Sequence, residues 1–168
     1  VFFGRDETVF TPEHVFGKRL TETARALNRL YGRQNPENAC EWEALSPTAK
    51  RSNMASADHL PVKIDWLLSC GADCAVDAAT CRAAYAAYTR LDAAQKDMCR
   101  RLEHERWMRN LYLENWQYDG ERNNALRRHP LLCPYDELSE ADKAKDDNSW
   151  TLLGALAELI ESGKGENG

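Results

Sequence analysis

His104, Trp107 and Leu111 stand at i, i+3 and i+7, so they share one face of any helix that carries them. That face sets an imidazole, which can donate to a phosphate or ribose oxygen, beside an indole on which a purine can stack for about 1–3 kcal/mol. The same residue types at the same spacing also serve a plain core, with Trp107 buried and His104 a hydrogen-bonded neighbour. Spacing alone leaves both readings open. Seventy-six positions earlier, Asn28 and Tyr31 occupy the equivalent places, so two aromatic faces could bracket one base.

Other chemistry lacks its residues. The chain has no G-x-S-x-G, no phosphate-binding glycine loop and no H-E-x-x-H, and His104-Glu105 is not followed by a second His at the zinc spacing. A non-catalytic protein is expected. Cysteines fall at 40, 70, 74, 81, 99 and 133, with no C-x-x-C pair. Cys70, Cys74 and Cys81 form a C-x3-C-x6-C cluster without a neighbouring His to complete a tetrahedral set. Six free thiols, and neither metal nor cofactor, are therefore expected.

The elements that must position these residues read as helices. Thr11-Pro12-Glu13 supplies a cap, a first-turn proline and an early acid for a helix to about Tyr31, which Gly32 ends. Ser46-Pro47 opens the next helix, and Pro61 should break it, because proline lacks an N–H and crowds the preceding turn. Residues 72–94 hold ten alanines and read as a helical connector. A long helix runs from Asp92 to about Glu114, and residues 115–120 read as one short strand or extended loop. Ser139 caps a further helix, and Trp150 to Ile160 forms the last. Trp66, Trp116 and Trp150 read as core, Trp42 and Tyr135 as staples before Ser caps, and His129-Pro130 as a loop-shaping pair. The fold class expected is mainly α with at most short strand pieces.

The chain also repeats. Residues 40–60 moved by 93 fall on 133–153 with six identities, among them Cys40/Cys133, Ser46/Ser139 and Leu60/Leu153, while Trp42/Tyr135 and Glu43/Asp136 are similar. With the upstream offset of 76, the second copy holds 17 additional residues, roughly Glu114 to Pro130. A pseudo-twofold pair with a seam between the two long helices is the expectation.

Charge sorts by segment. Twenty-two Lys and Arg against 27 Asp and Glu in 168 residues give −5, which argues against binding along a nucleic-acid backbone. Seven Arg oppose five acids over 100–128, whereas three Lys oppose nine acids over 129–168. Arg100, Arg101 and Arg109, and the acids from Asp142 to Asp147, read as solvated helix faces. No apolar run approaches the roughly 18 residues of a membrane span.

The second copy reads EHERWMRNLYLENWQYDG and then RRHPLLCPYDELSEADKAKD. This resembles the ryanodine receptor repeat, the RyR domain, through His104, Glu105, Trp107, Trp116, Tyr118, His129, Pro130, Leu132, Pro134, Tyr135, Leu138 and Glu140. Lys50-Arg51-Ser52-Asn53 is similar to the K-R-S-N of that family's capped helix. Asn115 and Asp119 replace glycines of the family turn, so the turn is expected to differ, and the first copy lacks the H-P segment. The resemblance extends to bacterial proteins in which a TrkA-type domain, sometimes with a potassium-channel pore, precedes such repeats, often after a stretch like Phe3-Gly4 through Glu13.

What the resemblance implies is a tandem pair of RyR repeats. Residues 1–11 would be a linker or strand from a missing upstream domain, 12–71 the first repeat, 72–91 the connector, 92–162 the second repeat and 163–168 a tail. It further implies a cytoplasmic regulatory fragment fused to a TrkA-N-type domain or channel, able to form a homodimer, with no membrane insertion of its own. An adenine nucleotide would lie in the cleft between repeats, held by Trp107, His104, Tyr31 and Asn28, with Lys50, Arg51 and Asn53 at the rim. The alternative is a passive interaction or dimerisation domain of the same parent.

Overall fold

The computed structural model describes residues 18–71 and 74–165. The elements are α1 (Lys18–Gln34), α2 (Pro47–Asp58), α3 (Leu60–Leu68), α4 (Ala78–Thr89), α5 (Ala93–Leu113), β1 (Gln117–Tyr118), β2 (Arg128–His129), α6 (Glu140–Lys145) and α7 (Asn148–Gly165). Short 3-10 turns occupy Pro36–Asn38, Trp42–Ala44 and Tyr135–Glu137. The protein is mainly helical. Strand is confined to β1 and β2, which pair in parallel with Gln117 opposite Arg128 and Tyr118 opposite His129. The helix start at Thr11-Pro12-Glu13 and the Phe3-Gly4 stretch lie outside the described residues.

Local chemistry sets most boundaries. Asp92 accepts from the Gln95 backbone, and the Gln95 side chain accepts from the Asp92 N–H, a reciprocal box that starts α5. Ser46 and Ser139 each accept from the backbone N–H three residues on. Pro61 sits in the first turn of α3, and His59 is at once the last cap of α2 and the first of α3. The expected break is there, one turn's start earlier than the proline itself. Gly32, by contrast, does not end α1, which continues to Gln34. A Cβ at Gly32 would lie 3.3 Å from that of Ala39, so glycine lets the returning chain approach the helix. Asn115 has φ of +59°, the left-handed region that glycine favours and that asparagine tolerates better than most side chains.

The main core is built by Leu27 and Leu30 of α1, Met54 of α2, Ile64 of α3, Cys81 and Ala84 of α4, and Leu153 and Leu156 of α7. Burying each of the larger aliphatic side chains stabilises the fold by roughly 1.5–3 kcal/mol. Among the described residues the most extensive helix pairing is α4 with α7. The alanine-rich segment is thus no mere connector. Its small side chains let α7 come close, and a Cβ on Gly154 would meet the Tyr85 ring at 2.8 Å. A second cluster joins Tyr88, Cys99 and Trp150, whose indole N–H donates to the Cys99 carbonyl at 3.0 Å. Trp66 is 39% exposed rather than core and meets Trp150 edge-on.

Two further expectations are corrected. The extensive contacts of α1 are with α2 and α7, and those of α5 with α6 and the Tyr135 turn, so the two long helices do not form the seam. Cys70 and Cys74 are joined by a disulfide, with Cα atoms 6.0 Å apart, a separation ordinary for such a bridge. The two cysteines lie just after α3, four positions apart in the chain. Cys40, Cys81, Cys99 and Cys133 are free.

Residues related by the two sequence offsets make matching contacts. Asn28 donates to the Cys40 carbonyl at 2.8 Å, and His104 Nε2 bonds the Cys133 carbonyl at 2.9 Å. Arg25 lies over Trp42 and pairs with Glu43, while Arg101 lies over Tyr135 and pairs with Asp136. Each long helix is therefore pinned to its own aromatic turn by a partly buried polar bond and an arginine clasp.

Candidate functional site

Helix α5 carries the expected face. His104 is buried, bonded through Nε2 to Cys133, and its Nδ1 lies 3.7 Å from Asp146. Trp107 is half-buried between two imidazoles, with ring centroids 5.7 Å from His104 and 5.0 Å from His129. His129 is held in turn by the Leu131 N–H, which donates to its Nδ1 at 3.1 Å. Burial pushes the His129 imidazole below its ordinary range, with Arg122 and Lys145 adding to the effect. His129-Pro130 thus shapes its loop and also supplies a wall to the indole.

The remaining expected residues are spread over other surfaces. Tyr31 is 46% exposed on α1, and among the described residues no ring contact joins it to Trp107. Asn28 is committed to Cys40. Lys50 donates to the Glu43 carbonyl at 3.3 Å, and Asn53 donates to the Ala49 carbonyl within its own helix at 3.0 Å. Arg51 makes a two-pronged ion pair with Glu114, the residue that caps the end of α5. That pair lowers the Glu114 carboxyl from its ordinary range and ties α2 to α5. Arg51 is a clasp between halves.

A buried ionic cluster lies behind these residues, and its members were not singled out from the sequence. Lys63 Nζ lies 2.8 Å from Glu103 and 5.1 Å above the Trp150 ring. Arg106 donates to the same carboxylate through Nε at 3.0 Å and Nη2 at 2.7 Å. Burial pushes the Glu103 carboxyl up, but Lys63 and Arg106 outweigh it and hold it at about 2. Asp146 completes the cluster. Burial and the nearby Glu103 charge push it up to about 7, against the pull of Arg106 and Lys63. Lys63 alone carried a sequence signal, a cation inside the apolar LPVKIDWLL of α3.

The acids after Ser139 are likewise not a solvated face throughout. Asp147 accepts from the Tyr88 hydroxyl at 2.6 Å and from Arg100 at 2.9 and 2.6 Å. Only the earlier part of the run keeps local partners, such as Lys145 with Asp142.

A cleft of about 270 Å³ opens between Ala55, Asp58 and His59 on one side and the Leu102–Leu113 stretch of α5 on the other. Arg106 and His59 both line it. Arg106 Nη1 and His59 Nδ1 are buried and have no hydrogen-bond partner among the described residues. Leaving such a group unpaired costs roughly 1–3 kcal/mol, more for a charged one. Burial and Lys63 lower the His59 imidazole to about 4, so it is neutral at pH 7. The cleft is lined by the cations Arg106 and Arg109, the acids Asp58 and Glu105, Asn110, the neutral imidazole of His59 and the apolar Ala55, Leu102 and Leu113. Among the described residues no group of three or more His, Cys, Asp or Glu is placed to hold a metal ion. No helix there is long and apolar enough to cross a membrane.

Residues 89–163 match the family model described as the RyR domain, a span running from the end of α4 through α5 and most of α7. No curated protein and no solved structure matches the chain.

Proposed function

We propose that the chain is a non-catalytic regulatory module in which two RyR-like units, α1–α3 and α5–α7, enclose a ligand cleft. The observation that carries this reading is the cleft itself, walled by the end of α2 with His59 on one side and by α5 on the other, with the Arg106 Nη1 and His59 Nδ1 atoms of its lining residues buried and unpaired among the described residues. The matched RyR domain supplies the second unit. The offset-related contacts Asn28–Cys40 and His104–Cys133 support taking the first half as a divergent copy. A ligand seated there would change how α2–α3 lie against α5, and the Arg51–Glu114 clasp would carry that change along the same interface.

The controlled element in this reading is a fused TrkA-N-type domain or channel. The nucleotide that the resemblance implies would need Trp107 as its stacking surface, without Tyr31 opposite. The test is hydrogen exchange on the full chain with adenosine nucleotides, free amino acids and inorganic phosphate added in turn at millimolar concentration. Protection confined to α2, α3 and α5 is expected with one of these probes. Unchanged exchange with all of them overturns the ligand-responsive reading.

A second reading, a docking or dimerisation surface, draws on Leu113, Tyr118 and Leu126, which are 85%, 60% and 68% exposed around the turn after α5. Sedimentation of wild type and Leu126→Glu decides it, a dimer lost in the variant being the supporting result and a monomer at all concentrations the contrary one.

A further inference from the structure

We propose that Cys70 and Cys74 form a reversible thiol–disulfide site, opened and closed in the folded protein by exchange with a small thiol such as glutathione. Location comes first. The bridge lies in the connection between α3 and α4, its two cysteines four positions apart. Cys70 is exposed, and Cys74 is half-buried against the main core cluster. An exposed disulfide is open to attack by a dissolved thiolate, and such bridges are the labile ones. The other cysteines sort away from this chemistry. Cys81 and Cys99 are fully buried, and burial pushes both thiols up to about 11, which leaves almost no thiolate at pH 7. Burial also raises the Cys133 thiol, and Cys40 is exposed and free.

The surroundings of the bridge are held by other bonds. A cross-link over so short a span removes less chain entropy than one that closes a long loop. Hydrogen bonds that need neither sulfur close the same stretch. The Ser69 N–H donates to the Asp65 carbonyl at 2.6 Å, and the Gly71 N–H donates to the Asp65 carboxylate at 2.6 Å. The Cys74 N–H donates to the Gly71 carbonyl at 3.2 Å. Beyond it, Val76 packs against the core, and Asp77 caps α4 by accepting from the Thr80 N–H. The dithiol and the bridged chain therefore both keep α3 and α4 in place. That is the condition for a bond made and broken without unfolding.

The exposures assign the order of attack. A glutathione thiolate attacks Cys70 Sγ, the S–S bond breaks, and Cys74 Sγ leaves with the electron pair and takes a proton from water. A second glutathione thiolate then attacks the glutathione sulfur of the mixed disulfide. Cys70 leaves as a thiolate, is protonated in turn, and glutathione disulfide is released. Two electrons pass from two glutathione thiols to the protein bridge. Glutathione disulfide drives the same steps in reverse, with Cys74 displacing glutathione from Cys70. Their Cα atoms, 6.0 Å apart, are at a separation that allows this closure.

The experiment equilibrates the full chain at pH 7 in buffers stepped from reduced to oxidised glutathione. Acid quenching, alkylation and peptide mass spectrometry then give the state of each cysteine. Cys70 and Cys74 are expected to pass from dithiol to bridge across the series, with helix content by circular dichroism unchanged. Cys81 and Cys99 should stay unmodified, and Cys40 should take glutathione without closing a bridge. Cys74→Ser should trap one glutathione on Cys70. Cys70→Ser should load Cys74 at least about tenfold more slowly, since its sulfur is half-buried. A bridge that stays closed in excess reduced glutathione is a fixed staple and overturns the proposal. So does a pair that never closes in glutathione disulfide, or a loss of helix when the wild type is reduced. Equal loading of the two variants overturns the assignment of Cys70 as the sulfur attacked.

Discussion

At the scale of single residues, the buried cluster of Lys63, Glu103, Arg106 and Asp146 dominates, because charges removed from water are costly unless balanced. Glu103 is its pivot. Glu103→Gln leaves two buried cations without their shared carboxylate and should destabilise the protein by about 3–5 kcal/mol in urea unfolding. Lys63→Met keeps Arg106 on Glu103 one to one and should cost clearly less. Equal losses in the two variants would contradict this charge count.

Asp146 gives a pH test of the same cluster. Its carboxyl is pushed up from 3.8 to about 7, so between those values the folded protein holds a proton that the unfolded chain has released. Stability from this group is therefore lost as pH rises through that window. His59, lowered from 6.5 to about 4, acts in the opposite sense, adding stability as pH rises between those values. Asp146→Asn removes the first effect alone. Relative to wild type it should gain stability between pH 5 and pH 8, measured by urea midpoints at each pH. A difference that does not change with pH would show that Asp146 is ionised throughout.

At the scale of elements, α5 depends on its start. Asp92→Ala removes the side-chain half of the Asp92–Gln95 box and should cost about 1 kcal/mol. Arg51→Ala removes a pair whose arginine side chain is 53% exposed, and solvent leaves such pairs about 0–1 kcal/mol. The ordering of these two variants in urea checks whether the cap or the clasp sets the position of α5. Helix α4 depends on smallness instead. Ala84 is fully buried in the core cluster that includes α7, so Ala84→Leu should overpack it by about 1–3 kcal/mol, read from the thermal midpoint.

At the scale of the whole molecule, the span that matches the RyR domain is not the span that shares the core. Residues 89–163 contain α5 and most of α7, but the apolar face of α7 is covered by α4 and α1. Leu153 and Leu156, 0% and 1% exposed in the whole chain, would meet water in that fragment. The isolated 89–163 fragment should therefore lose cooperative urea unfolding, while residues 18–165 retain it. A sharp two-state transition in the short fragment would show that the second unit stands alone.

Local chemistry was legible in the chain. The Ser46, Asp92 and Ser139 caps and the break before Pro61 follow from groups within a few residues of one another, so the sequence determines them without help from the rest of the fold. The two offsets of 76 and 93 were legible as well, and they reappear as paired contacts such as Arg25 on Trp42 and Arg101 on Tyr135. Trp107 and His104 were found through their spacing, though the imidazole that walls the indole, His129, comes from β2, more than twenty positions away. What tertiary structure alone decided is which distant groups are dried together. Lys63 and Glu103 are forty residues apart, and nothing in either segment says that they share a buried bond. His59 showed no signal because its interest lies in an unpaired nitrogen facing another helix. The alanines of α4 read as blank in sequence, since a small side chain acquires meaning only when a partner helix closes on it. Capping and periodicity are short-range and written in order along the chain, whereas desolvation and charge balance depend on what the folded chain brings alongside.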